Sequence, residues 1–160
     1  MLRHAQRLLP GFHAQLVWEQ APSDLLALCH EAVHLGGLVL LLWQSIAREV
    51  RGATRQPSPA PHWMLVVGVE GPWSPVGDES GSVVCTVATG LLVLDTQVHP
   101  GWGLGHNQSL VPGTDPRHEA AMRVAEFRAV WSARTLEGNL DCGMVLSAIA
   151  LSPGKGQSPQ

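Results

Sequence analysis

Tyrosine is absent from this 160-residue chain, lysine occurs once, at Lys155, and charged residues make up only 14% of it. An average soluble protein carries roughly 25%. The 10 basic and 13 acidic side chains give a net charge of -3 and form no basic stripe, so the electrostatic footprint of a nucleic-acid binder is missing. Cysteine is also sparse. Cys29, Cys85 and Cys142 are odd in number, far apart and without C-x-x-C spacing, which excludes a disulfide framework and a paired-cysteine zinc or redox motif. Cys29 and Cys142 stand among Leu, Ala, Met and Val, where a free thiol behaves as a small apolar side chain. That usage indicates a reducing, intracellular compartment, read here as the cytoplasm.

What remains is an ordinary hydrophobic share of 45%, with 17 Gly and 12 Pro to punctuate it. A chain of this length buries enough surface for one core without staples, and it is too short for a second full domain. Residues 1–22 read as an N-terminal extension: Arg3 and Arg7 precede the first acid, Glu19, which is compatible with an organelle transit peptide, although a short stretch without serine suits an ordinary basic first turn better. Residues 152–160, rich in Pro, Gly, Ser and Gln, read as a disordered tail. The single domain is then 23–151.

Within it, Ser23 and Asp24 offer an N-cap to a proline-free apolar run from Leu25 to Val50, which predicts one long helix. Its polar residues His30, His34, Gln44, Ser45 and Arg48 fall near one stripe. Glu31 and the two histidines make a soluble core helix cheaper than a membrane span over the same apolar segment. From residue 63 the texture becomes β-branched: Trp63–Val69, Ser82–Thr89, Leu91–Leu94 and Ser109–Val111 are expected strands. Asp115-Pro116 opens a second expected helix to about Arg134, burying Ala120, Val124, Phe127 and Trp131. Cys142–Leu151 reads as a closing strand. The expected class is α+β: a long N-terminal helix, a mostly antiparallel sheet, a second helix and a C-terminal strand.

One motif carries chemistry. His30-Glu31-Ala32-Val33-His34 is an H-E-x-x-H sequence, and on a helix it puts two imidazoles one turn apart on one face. Two His nitrogens, a third protein ligand and an open position for water make a catalytic zinc site, with Glu31 placed to take the proton from zinc-bound water. These residues, with uncharged neighbours from Ala27 to Leu35 and a glycine at 37, resemble the zincin metallopeptidase signature over about ten residues. The resemblance implies a zinc-dependent hydrolase of amide or ester bonds acting on a small molecule or peptide. His30 and His34 would be ligands and Glu31 the catalytic base. Leu40 stands where the metzincin subgroup has its third histidine, so the third ligand must come from later in the chain. Glu119 best matches the gluzincin arrangement; Glu79, His99 and His106 are loop alternatives.

A second constellation, Asp95, His99 and His106 with glycines 101, 103 and 105, loosely resembles the second cupin motif and suits a metal or an anion. Against both stands a metal-free reading from another class. In it a small α+β domain binds a protein partner or small ligand through the Trp-containing stretches at 71–81 and 99–107.

Overall fold

The computed structural model describes residues 7, 10–18, 21–57, 60–75, 83–95, 106–113 and 129–154, without the side chains of 106 and 107. In chain order these form β1 (Phe12–Trp18), α1 (Pro22–His34), β2 (Leu38–Val50), β3 (Ala53–Arg55), β4 (His62–Glu70) and β5 (Trp73–Pro75). They continue as β6 (Val83–Cys85), β7 (Gly90–Asp95), β8 (His106–Pro112), β9 (Trp131–Thr135) and β10 (Leu140–Pro153). Strand takes 63% of the described residues and helix 13%, so the expected α+β class is wrong and the fold is mainly β.

Six antiparallel strands close into a barrel in the order β2-β4-β7-β8-β9-β10, and β10 returns to β2 to seal it. β1 continues the sheet beside the second half of β10, so residues 12–18 belong to the sheet. Ser152 and Pro153 likewise pair with β1, and Gly154 N–H donates to Gly11 O. β3 folds back on β2, and β5 with β6 forms a separate hairpin.

The expected helix from Leu25 to Val50 is half right. α1 begins at Pro22 behind Ala21, with no side-chain cap from Ser23 or Asp24, and ends at His34. The stop is a Schellman motif: Gly36, at φ +71°, donates to Val33 O, and Gly37 donates to Ala32 O. A Cβ on Gly37 would also lie 2.4 Å from Leu151 O, so the chain turns there against β10. Beyond it, Leu38–Val50 is a strand. Its leucines occupy both faces, which gives the same unbroken apolar run that a buried helix would. The expected second helix is also corrected at its end: 129–130 are not helical and Trp131–Thr135 is β9, while 114–128 lie outside the described residues. Trp63–Val69, Leu91–Leu94 and Cys142–Leu151 do fall within β4, β7 and β10. Of the stretch 82–89, Val83–Cys85 is strand and pairs with β5, outside the barrel.

Inside the barrel Val39, Leu41, Trp43, Val66, Leu91, Val93 and Leu110 are fully or almost fully buried, each contributing about 1.5–3 kcal/mol. A six-stranded barrel has room for such side chains and little else. α1 lays Leu25, Leu26, Cys29 and Ala32 against this core, near where β2 begins and β4 ends. At the other end the chain makes room for Trp43 by omitting a side chain: a Cβ on Gly143 would sit 2.6 Å from the indole ring and 2.3 Å from Gln44 O. Gly143→Ala is therefore expected to cost about 1–3 kcal/mol by overpacking. Urea unfolding followed by far-UV circular dichroism measures it, and an unchanged midpoint would refute this account of the Trp43 packing.

Candidate functional site

The H-E-x-x-H residues lie on α1 as their spacing requires. The rings of His30 and His34 are parallel, 2° apart in plane and 6.2 Å between centroids. Glu31 and His34 are exposed and His30 is half-buried. His30 Nε2 is 2.7 Å from Cys85 O; a carbonyl only accepts, so Nε2 carries a proton and donates. This bond ties α1 to the β5–β6 hairpin. Among the described residues no group of three His, Cys, Asp or Glu side chains is placed to hold a metal. Glu119, Glu79 and His99 lie outside the described residues. Cys29, next to the motif, is fully buried, and loss of solvation pushes its thiol up from 9.0 to about 12.

Of the second constellation, His99 lies outside the described residues. Asp95 and His106 are register partners on β7 and β8, though the His106 side chain is outside the description. The Asp95 carboxylate is buried and accepts hydrogen bonds from His62 Nε2 at 3.0 Å and Gln108 Nε2 at 3.3 Å. Asp95 is therefore an interior carboxylate on β7, not part of a solvated loop. Sequence reading passed over His62 and Gln108 because each stands alone in its segment; only closure of the barrel brings β4, β7 and β8 together.

A second buried carboxylate lies where β10 meets β2. Asp141 accepts from Ser45 Oγ at 2.5 Å, from Arg48 Nη2 at 2.8 Å and from Trp43 Nε1 at 3.3 Å, and both ion-pair side chains are almost fully enclosed. Arg48 and Asp141 are direct register partners, so the pair spans the seam of the barrel. Three donors on one carboxylate offset a desolvation cost that a bare buried charge could not bear.

The outer face offers a different kind of site. Because Val39, Val66, Val93 and Leu110 point inward, their neighbours Leu38, Val67, Leu92 and Val111 point out, with exposures of 40%, 50%, 39% and 37%. Leu38, Val67 and Leu92 follow one another across β2, β4 and β7, and Val111 on β8 lies a diagonal step from Leu92, whose direct partner is Ser109; half-buried Leu40, Leu65 and Leu94 back them. Antiparallel sheets with one solvated face usually alternate apolar and polar residues; this face does not. The signal was legible as apolar runs that keep both parities, Leu38–Trp43 and Leu91–Leu94. Of the expected Trp-containing stretches, Trp73 is exposed on β5, whereas 76–82 and 99–105 are outside the described residues.

Compared with models of protein families, with curated proteins and with solved structures, the chain shows no significant match. The site must therefore be judged on its own geometry.

Two outcomes follow. Asp141→Ala should cost about 3–5 kcal/mol by stranding Arg48, and adding Arg48→Met should recover at least about 1 kcal/mol of it in urea titrations; no recovery would mean that the guanidinium is not the source of the loss. For Cys29 the folded pKa is raised, so the unfolded chain ionises first: its contribution to stability is complete below pH 9 and declines as pH rises towards about 12. The expected slope reaches about 1.4 kcal/mol per pH unit, in a chain with no tyrosine and one lysine to obscure it. Cys29→Ala should flatten the pH dependence of the unfolding midpoint, and an equally steep variant would refute the assignment.

Proposed function

We propose that this chain is a non-catalytic docking domain that uses the outer face of β2, β4, β7 and β8 to hold a partner protein. The observation that carries this reading is the exposed row Leu38, Val67, Leu92 and Val111, an apolar strip on a closed barrel whose interior is already filled by its own side chains. Contiguous apolar surface on a soluble domain is costly to leave in water, and it marks a place that another surface covers. Barrel closure also explains why this face is rigid: its backbone hydrogen bonds are made within the ring, so docking costs little ordering entropy. The partner surface thus moves from the Trp-containing stretches to the barrel wall.

A second reading is favoured by one observation, the parallel His30 and His34 rings one turn apart on an accessible helix face. In it the pair holds Zn²⁺ and Glu31 acts as general base in hydrolysis of an amide or ester, with Glu119 as third ligand. The docking reading ranks first because His30 Nε2 is already engaged by Cys85 O and needs no ion to explain its position.

Photo-crosslinking with benzoylphenylalanine introduced at position 67, or at position 55 as control, separates the two readings. A discrete protein adduct from 67 and none from 55, unaffected by chelator, is the outcome of docking. Adducts from neither position, with stoichiometric zinc lost in His34→Ala and hydrolysis lost in Glu31→Gln, would replace it by the metal reading.

A further inference from the structure

The apolar strip has one charge set into it, and that charge specifies the partner's chemistry. Glu70 ends β4 opposite Gly90 of β7, and Gly90 in turn lies opposite Val111 of β8 by continuation of the β7–β8 register. Glycine at 90 is what lets the glutamate lie across the strand. A Cβ there would meet Glu70 Oε2 at 2.8 Å and Val111 Cγ1 at 2.9 Å. The carboxylate reaches over to Ser109, whose Oγ donates to Oε2 at 2.6 Å. Glu70 is half-buried, and its carboxylate lies beside Val111 over Gly90 and against Ser109, the register partner of Leu92. Among the described residues Arg48 forms an ion pair with Asp141 and His62 with Asp95, and neither involves Glu70.

A partly desolvated carboxylate with a neutral hydroxyl as its side-chain donor is held less well than one with a cation. Apart from Ser109, the exposed side chains nearest in register, Leu92 and Val111, are apolar, so whatever covers them also strips the remaining water from Glu70. An apolar partner without a cation would therefore be penalised, and an acidic one penalised more. We infer that the Glu70 carboxylate is the specificity element of this face, and that the partner segment is basic and amphipathic, covering Val67, Leu92 and Val111 with apolar side chains while an Arg or Lys pairs with Glu70. This rests on the docking reading and adds the charge class of the occupant. Ser109 orients the carboxylate, and the absence of a side chain at 90 keeps it accessible from outside.

The full chain would be titrated into fluorescein-labelled amphipathic peptides of Leu with Arg and of Leu with Glu, with anisotropy as readout, and into phosphatidylcholine vesicles. The Leu/Arg peptide should bind at least about tenfold more tightly than the Leu/Glu peptide, and Glu70→Gln should remove about that factor. Asp24→Asn, an exposed acid on α1, should leave binding unchanged, and circular dichroism confirms folding of each variant. Equal binding of both peptides, weakened alike by Leu92→Ser and insensitive to Glu70→Gln, would overturn the charge class while leaving the docking face in place. No peptide binding, or binding indifferent to Leu92→Ser, would overturn both. Vesicle binding without peptide binding would overturn both in favour of a lipid surface.

Discussion

The ion pair between Asp141 and Arg48 sits at the one place where this sheet must join its ends. An open antiparallel sheet of six strands would leave two edges, each a row of unpaired backbone groups. Pairing β10 with β2 removes them, and along that seam Asp141 collects Arg48, Ser45 and the Trp43 indole N–H. The carboxylate cannot be buried without those donors, and the donors lie on β2 alone. Slipping the seam by one residue would turn Asp141 outward and leave a guanidinium in the interior, so the pair selects the register as well as the closure. The Trp43 ring then fits over Gly143 only in that same register.

Once the ring is closed, each strand's two faces acquire different fates. Inward positions fill the barrel with Val39, Leu41, Trp43, Val93 and Leu110, and α1 covers one end with Leu25, Leu26, Cys29 and Ala32. Outward positions of β2, β4 and β7 are also largely apolar, with Val111 added from β8, and the closed ring has no inside left for them. The exposed apolar face is thus a consequence of closure: strands with apolar residues of both parities must show one set to whatever lies outside. Glu70 interrupts that face because Gly90 leaves a gap for it to cross.

The H-E-x-x-H motif shows what helical spacing alone establishes. Its four-residue interval does place His30 and His34 side by side on α1. Whether a further ligand converges on them depends on which strands surround the helix, and the hydrogen bond from His30 to Cys85 O belongs to a hairpin that the spacing says nothing about. Asp95 is the reverse case. As one acid in an apolar stretch it suggested a loop site with His99 and His106, yet its partners His62 and Gln108 come from two other strands. Buried pairs of this kind have no local pattern, because their members are separated by 33 and 13 residues.

The amino-acid order by itself determined the short apolar strands within β4, β7 and β10, the helical character of residues 25–34, the lack of any disulfide framework and the helical spacing of His30 with His34. These follow from short-range chemistry, in which each residue's preference is set by its own side chain and its near neighbours. Tertiary structure decided the rest. Leu38–Val50 reads as a continuation of α1 because an apolar run without alternation fits a buried helix and a strand covered on both faces equally well. Gly36 and Gly37 close the helix in a Schellman cap, and the segment that follows has a strand to join because β10 supplies it from more than a hundred residues away. The closure of the barrel, the partners of Asp141 and Asp95 and the apolar face around Glu70 are all set by contacts between strands remote in sequence, whose energy no local window contains.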